Sequence, residues 1–167
     1  KIAQYAKVFG ADVIVWGSEN SMEKAVKDGF RRARNKEEFF QISDVITIHL
    51  RLNTSTTGLV KLNDLTMMKS DALFVNTARA ELVEKGALIS ALNKGKPGFA
   101  ALDVYESEPI KDGHYELLQM PNVICTPHLG YVELSGYELY FEKAFENVIQ
   151  YANGSPTNIA NPEVLEK

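Results

Sequence analysis

The hydrophobic pattern of the chain alternates between two kinds of segment. Short apolar runs of strand length are separated by segments in which apolar residues recur every three or four positions, as on one face of a helix. Strands are predicted at residues 11–16, 44–49, 73–75, 99–104 and 122–126, and helices at residues 1–10, 21–27, 37–42, 62–69, 84–93 and 133–151. Strands that alternate with helices predict an α/β fold built on a mainly parallel sheet.

The third of these runs is central to the functional interpretation. Leu73, Phe74 and Val75 follow one another without a polar residue, a pattern typical of a strand that is covered on both faces. Arg79 follows a few residues later. In open α/β sheets, ligands bind beyond the carboxyl ends of the strands, so Arg79 is predicted to lie at the binding edge.

The two ends of the chain set the expected domain boundaries. No capping residue precedes Lys1, and the apolar face of the first helix requires a sheet to cover it, so we expect further chain upstream. The last predicted helix places Leu134, Tyr137, Phe141 and Phe145 mainly on one side. The pattern predicts one domain over residues 1–152, followed by a tail at residues 153–167.

Composition narrows the class of protein. The chain has 167 residues, 45% of them hydrophobic, which is enough for a globular domain without a disulfide or a structural metal. A net charge of −4 and a single short basic run at residues 31–34 argue against nucleic-acid binding. No apolar run approaches the length of a membrane span, and no leader-like segment opens the sequence. With Cys125 as a core residue in a reducing compartment, the sequence predicts a soluble cytoplasmic protein.

Candidate catalytic residues follow three different strands. Arg79, Glu108 and His128 each lie in a loop after a predicted strand, so a parallel sheet would bring them to one edge. Arginine offers a fork of donors suited to a carboxylate, and histidine can move a proton near neutral pH. A glutamate beside the histidine would orient its ring and favour its charged form. The set indicates redox chemistry at a carbon that bears oxygen next to a carboxylate.

Each residue also has an ordinary structural interpretation. Arg79 could be a solvated charge, and His128 could be a strand-end histidine bonded to backbone, since Pro-His is not a specific motif. His49 is interpreted as a structural or positioning residue and His114 as a surface residue. The three histidines and the cysteine are not at zinc-ligand spacings, so no metal site is predicted.

Three ordered runs carry a family resemblance. They are Val75-Asn-Thr-Ala-Arg79, residues 98–109 with the sequence GFAALDVYESEP, and residues 121–130 with the sequence PNVICTPHLG. In order and spacing they resemble the D-isomer-specific 2-hydroxyacid dehydrogenase family. The resemblance covers nearly the whole chain and implies a doubly wound, Rossmann-type nucleotide-binding domain. It also implies a separate substrate domain, formed from the two ends of the full polypeptide, and a homodimer built through the present domain.

The resemblance implies a role for each matching residue. Arg79 would bind the substrate carboxylate and polarise its carbonyl group, His128 would be the acid or base, and Glu108 would pair with His128. Asp103 would face the nicotinamide amide. The residues implied to bind the cofactor, NAD or NADP, are Leu50, Thr77, Ala78, Arg79, Asp103, His128 and Gly130.

Two departures from the family pattern concern the cofactor. The Gly-x-Gly-x-x-Gly phosphate loop of the family would come just before the first helix, yet no two glycines here are two residues apart. We therefore expect a domain truncated at its N-terminus, without its first strand and glycine turn. Gly17, Ser18 and Glu19 stand where NAD-dependent members commonly carry an aspartate for the ribose hydroxyls, so the choice between NAD and NADP stays open.

The resemblance predicts the nucleotide-binding part of an NAD(P)-dependent D-2-hydroxyacid dehydrogenase. Such an enzyme is an oxidoreductase that moves a hydride between nicotinamide and a small 2-keto or 2-hydroxy acid. We expect this part to be inactive by itself. One alternative is a cofactor-sensing interaction protein, like the transcriptional corepressors that resemble the family and retain the same three residues. Another alternative is an inert truncated paralogue.

Overall fold

Two parallel sheets carry the first of two compact units, Lys1–His128. The computed structural model describes residues 1–111 and 113–165. One sheet has two strands, β1 and β2, and the other has four in the order β3–β4–β5–β6, with every pairing parallel. The strands are β1 (Ile14–Val15), β2 (Arg31–Arg32), β3 (Val45–Ile48), β4 (Leu73–Asn76), β5 (Phe99–Leu102) and β6 (Val123–Cys125). The predicted α/β fold with parallel strands is confirmed.

The helices lie where the apolar periodicity places them, several of them shortened. They are α1 (Ile2–Val8), α2 (Glu19–Lys27), α3 (Lys36–Ile42), α4 (Leu62–Thr66), α5 (Ala87–Asn93), α6 (Glu116–Gln119) and α7 (Leu134–Ala152), with 3-10 turns at Ala80–Leu82 and Pro162–Leu165. Helix α6, strand β2 and the two 3-10 turns were not predicted. The predicted strand at residues 11–16 is wrong in its length, because only Ile14–Val15 form a strand, and both of these residues are half-buried.

The core lies on one face of the four-stranded sheet. Alternate strand residues, among them Ile46, Phe74 and Ala100, are buried and pack against apolar residues of α3, α4, α5 and α6. Their neighbours on the other face are half-buried or exposed, as at Val45 and Phe99. The prediction that residues 73–75 are covered on both faces is therefore wrong for this chain, since the described helices of this unit bury only alternate positions.

A half-buried lysine joins α3 to the start of α4. Lys36 lies over the rings of Trp16 and Phe40, with Nζ 5.6 Å and 5.9 Å from the ring centroids. Its ammonium group donates to Leu59 O at 2.6 Å and to the Asp64 carboxylate. Asp64 also accepts the N–H of Lys61 at 2.7 Å, at the first turn of α4. This contact fixes the helix pair that covers the core face.

The second unit, Leu129–Lys167, is built on α7. The apolar residues predicted to share one side of this helix are all exposed, including Phe141 and Phe145. Asn147 is half-buried and accepts a hydrogen bond from Asn158 Nδ2 at 2.9 Å. Over the residues that the structure describes, no helix is both long enough and apolar enough to cross a lipid bilayer. The predicted domain boundary after residue 152 stays a prediction.

Candidate active site

The turn after β4 presents Arg79. Asn76, the last residue of the strand, is 2% exposed, and its carboxamide holds the turn from inside. Oδ1 of Asn76 accepts the N–H of Ala78 at 3.0 Å, and Nδ2 donates to Arg79 O at 2.9 Å. Thr77 and Arg79 are exposed, and Ala78 is half-buried against the core. The buried amide therefore fixes a turn whose arginine faces solvent.

His128 and Glu108 are in direct contact. The Nδ1 atom of His128 lies 2.6 Å from Oε2 of Glu108, and each side chain is about one-third exposed. The second carboxylate oxygen, Oε1, accepts the backbone N–H of Tyr105 at 2.8 Å. The structure thus brings together two residues that follow different strands, β5 and β6. Both oxygens of the carboxylate are engaged, one by the histidine ring and one by backbone.

The environment of Glu108 favours its charged form. Burial is the largest single cause and raises the pKa of the carboxyl group, while hydrogen bonds from His128 and from the Tyr105 N–H lower it. The charges of His128 and Arg79 act in the same direction as the hydrogen bonds. The net result is a pKa below the ordinary value of 4.5, so Glu108 is a carboxylate near neutral pH. Arg79 therefore contributes to the electrostatic environment of the pair, while its guanidinium donates to Ala78 O at 2.6 Å.

The backbone of His128 is held in an uncommon conformation. Among described residues other than glycine, only His128 and Asn158 have positive φ, and the value for His128 is 53°. This left-handed region costs about 1 kcal/mol for a residue with a Cβ. The N–H of His128 donates to Thr126 O at 3.0 Å. Strain of this kind is characteristic of residues that a fold places for function.

Asp103 links the ends of three neighbouring strands. Its side chain is buried, and Oδ1 accepts the hydroxyl of Thr126 at 2.5 Å. Its N–H donates to Asn76 O at 3.0 Å. Asp103 therefore connects the end of β5 to β4 on one side and to β6 on the other. Leu50, which follows β3, is partly buried against the core, and Gly130 is an exposed residue of the second unit.

The segment after β1 differs from the site expected for ribose. Glu19 forms a two-pronged ion pair with Arg32, with distances of 2.6 Å and 3.4 Å. Oγ of Ser18 accepts the N–H of Ser21 at 3.4 Å and caps α2. The one carboxylate in this turn is thus already paired with a guanidinium.

The remaining histidines and the cysteine lie outside this cluster. His49 is exposed, with Nε2 3.0 Å from Thr47 Oγ1, and partial burial lowers the pKa of its ring. His114 is exposed, as predicted, and Cys125 is a half-buried free thiol. Within the described ranges no group of three or more histidine, cysteine or acidic side chains could hold a metal ion.

Two contributors to this geometry were missed by the sequence analysis. Asn76 lies inside the motif at residues 75–79, and a buried polar residue at the last position of an apolar strand is the signal that could have found it. Tyr105 lies between Asp103 and Glu108, and its backbone contact carries no sequence signal. Both residues hold the loops that present the three predicted catalytic side chains.

The chain matches a known protein family over most of its length. The profile described as D-isomer specific 2-hydroxyacid dehydrogenase, NAD binding domain, matches residues 1–130. The chain belongs to this family. The resemblance stated from the three runs is confirmed, and so is the Rossmann-type fold that it implied.

Individual members show how much of a complete enzyme the chain covers. It is 34% identical over 167 residues to glyoxylate reductase of Aeropyrum pernix, covering 99% of the chain and 49% of that protein. A solved protein of Ralstonia solanacearum, provisionally named D-3-phosphoglycerate dehydrogenase oxidoreductase, is 52% identical with a TM-score of 0.92, over 96% of this chain and 47% of its own. An NAD complexed form of a D-isomer specific 2-hydroxyacid dehydrogenase from Lactobacillus delbrueckii is 26% identical with a TM-score of 0.72, over 94% and 51%. The chain spans about half the length of these relatives.

Proposed function

We propose that this chain is the nucleotide-binding part of an NAD(P)-dependent D-2-hydroxyacid dehydrogenase. The observation that carries the proposal is the 2.6 Å contact between Nδ1 of His128 and Oε2 of Glu108, a carboxyl group whose pKa the charge of Arg79 helps to lower. An imidazole held by a carboxylate beside a guanidinium suits proton transfer to an oxygen next to a carboxylate. Family membership supports the same reaction class.

The proposed roles follow from the donors that each side chain offers. The exposed Arg79 guanidinium binds the carboxylate of a 2-keto acid through two parallel N–H groups. Since Nδ1 of His128 faces Glu108, Nε2 delivers the proton to the carbonyl oxygen in reduction and takes it back in oxidation. Bound nicotinamide supplies or accepts the hydride at carbon 2. Together one proton and one hydride convert the keto acid into the hydroxy acid.

The chain fits a dinucleotide at the edge where its parallel strands end. Thr77, Ala78 and Arg79 follow β4, Asp103 follows β5, and His128 follows β6, which supports the side of the site that takes nicotinamide. Leu50 after β3 and Gly130 complete the proposed set. Neither NAD nor NADP is favoured by this edge alone.

The separation of the two sheets supports an incomplete cofactor site. In the doubly wound order 3-2-1-4-5-6 the first strand lies in the middle of the sheet and leads into the glycine-rich phosphate loop. Here β1 and β2 form one sheet and β3 to β6 another. This is expected if the strand that would lie between β1 and β3 in a continuous sheet is missing. We infer that the pyrophosphate-binding turn comes from chain outside these residues and that this part alone is inactive.

The substrate class is a small 2-keto or 2-hydroxy acid. The named activities of relatives, glyoxylate reductase and D-3-phosphoglycerate dehydrogenase, both concern such acids. The groups that would select among them do not lie among the three residues described above. A cytoplasmic location stays a prediction from the sequence.

The test compares the complete polypeptide with this chain. Calorimetric titration with NADH and NADPH measures cofactor binding, and reduction of glyoxylate, hydroxypyruvate and pyruvate measures turnover. We expect the complete polypeptide to bind one cofactor and reduce a keto acid, and this chain alone to be inactive. His128→Ala should lower kcat by roughly 10²–10⁴-fold, the range for loss of a general acid. Arg79→Gln should mainly raise KM for the keto acid.

The matched controls are His114→Ala, which removes an exposed histidine, and Arg31→Ala, which removes an exposed arginine paired with Asp12 ahead of β1. Both should leave kcat and KM within a factor of about two. Binding of a cofactor without turnover across the keto acids would instead indicate the sensing protein, and turnover that survives His128→Ala would contradict the proposed role.

A further inference from the structure

Tyr105 contacts both the Glu108 carboxylate and the backbone carbonyl of Thr126, which precedes His128 by two residues. Its backbone N–H donates to Oε1 of Glu108 at 2.8 Å. Its hydroxyl donates to Thr126 O at 2.8 Å, and Leu102 O lies farther away at 3.3 Å. Because a phenol has one proton, the shorter contact with Thr126 O is the stronger one. One residue therefore spans the gap between the loop after β5 and the end of β6.

The carbonyl that Tyr105 binds is the one that fixes the backbone of His128. The N–H of His128 donates to Thr126 O at 3.0 Å, so that oxygen accepts two hydrogen bonds. These bonds meet at the turn in which His128 has its positive φ of 53°. Holding Thr126 O in place holds the strained turn that aims the imidazole at Glu108.

The ring of Tyr105 is buried and packed against a second aromatic ring. It is 8% exposed and packs edge-to-face on Tyr115, with ring centroids 6.0 Å apart and an interplanar angle of 86°. Burial is the largest of the causes that raise the pKa of the Tyr105 hydroxyl. The hydroxyl therefore remains a protonated donor at any pH at which an enzyme of this kind works.

We propose that Tyr105 is a positioning residue for the His128 and Glu108 pair, acting through its hydroxyl on the carbonyl of Thr126. The inference rests on the proposed function, in which this pair transfers the proton. Any residue other than proline at position 105 would supply the backbone N–H to Glu108, but only the phenol supplies the second contact. A phenylalanine would fill the same space, but the hydrogen bond to Thr126 O would be lost, and with it one contact that holds the His128 turn.

The test measures turnover of the complete polypeptide carrying Tyr105→Phe. We expect kcat to fall about 5- to 30-fold, the effect of one lost hydrogen bond on a group that must be precisely oriented. KM for the cofactor and the keto acid should stay within a factor of about two, because Tyr105 contacts neither in the proposed roles. Replacing Tyr105 by 4-aminophenylalanine returns a donor to the same place and should restore much of the lost kcat.

A second readout needs no turnover. In the proton NMR spectrum of the complete polypeptide, the Nδ1–H of His128 facing Glu108 should give a downfield resonance that exchanges slowly with water. In Tyr105→Phe this proton should exchange at least about tenfold faster. The resonance tests the positioning role even if the wild-type protein reduces no keto acid, an outcome that would defeat only the proposed function.

Tyr115→Phe is the matched control. It removes a hydroxyl from the other ring of the same aromatic pair, one without a contact to Thr126 in this structure. It should keep kcat and the exchange rate of the His128 resonance. Equal losses in both variants would reduce the role of Tyr105 to packing. Unchanged kcat and an unchanged resonance in Tyr105→Phe would overturn the proposal, whatever happened to thermal stability.

Discussion

Glu108 has two hydrogen-bond partners with different tasks. Oε1 is bound to a backbone N–H, which cannot change its protonation, and Oε2 is bound to an imidazole, which can. The first contact holds the carboxylate in one orientation while the second varies with the charge on the ring. A carboxylate held in this way keeps the imidazole ring of His128 in one orientation.

The lowered pKa of Glu108 makes a prediction about stability and pH. A group whose pKa is lower in the folded state stabilises the fold above its ordinary pKa of 4.5, and the contribution disappears as the pH falls through the lowered value. We expect Glu108→Gln to reduce the free energy of unfolding by about 1 kcal/mol at pH 7, a small amount because the side chain is partly exposed. The difference from wild type should shrink between about pH 5 and pH 3. Urea unfolding across this range measures it.

Glu106→Gln is the control for that experiment. Glu106 lies in the same loop and is exposed, and its one side-chain hydrogen bond among the described residues is a long 3.3 Å contact with the Gly86 N–H. Its substitution should change the free energy of unfolding by less than about 0.5 kcal/mol at any pH. A difference for Glu108→Gln that did not depend on pH would show that shape, not charge, carries the contact.

The residues with reactive side chains could be predicted from the sequence, whereas the residues that hold them in place could not. Arg79, Glu108 and His128 could be selected because each follows an apolar run and carries a group with known reactivity. Asn76 acts within its own turn, on Ala78 and Arg79. The Tyr105 hydroxyl reaches Thr126 only once β5 and β6 are side by side, and Tyr105 binds Glu108 through backbone. A backbone N–H is present at nearly every position, so the residue type does not indicate which N–H makes such a contact.

At the scale of elements, a tight crossing sets the spacing before β4 and β5. A Cβ added to Gly98 would lie 2.0 Å from Ser70 O and 2.9 Å from Ser70 C, so the two backbones approach too closely for a side chain. Gly98 immediately precedes β5, and Ser70 lies shortly before β4. The register of these central strands, Leu73 with Phe99, therefore depends on a glycine at position 98.

We expect Gly98→Ala to be destabilising. The clash is with backbone, which cannot rotate away, so the strands must shift at a cost of roughly 1–3 kcal/mol in the free energy of unfolding. Chemical denaturation followed by circular dichroism measures the change. Gly113→Ala is the control, because a Cβ there meets no atom within 4 Å. Equal stability of the two variants would mean that the crossing relaxes freely.

The elements missed by the hydrophobic pattern are short ones. Strand β2 is the pair Arg31–Arg32, whose side chains are both exposed, so its strand geometry comes from pairing with Ile14 and Val15 and not from burial. Helix α6 has four residues, too few for a periodic signal, and only Leu117 is buried. In contrast, α7 is long, and its period alone placed it correctly.

At the scale of the whole molecule, one face of α7 is apolar and exposed. Leu134, Tyr137, Phe141, Phe145 and Val148 all lie on this face, and each is at least 41% exposed. The half-buried residues of the helix are Gly136, Asn147 and Gln150, on the opposite side. Soluble proteins rarely leave so large an apolar patch open to water. We infer that a second copy of the protein covers it, in keeping with the homodimer implied by the family resemblance.

This inference predicts the effect of a charge on the face of α7. The complete polypeptide should sediment as a dimer in analytical ultracentrifugation, and Phe145→Glu should raise the dissociation constant at least about 100-fold, because a buried aromatic anchor is replaced by a charge that must lose its water. Leu139→Glu makes a comparable change at another exposed position of the helix, away from this face, and should leave the dimer intact. If another part of the same polypeptide covers the face instead, Phe145→Glu lowers the melting temperature and leaves the sedimentation unchanged. A monomeric wild type, or equal weakening by both variants, contradicts a dimer formed through α7.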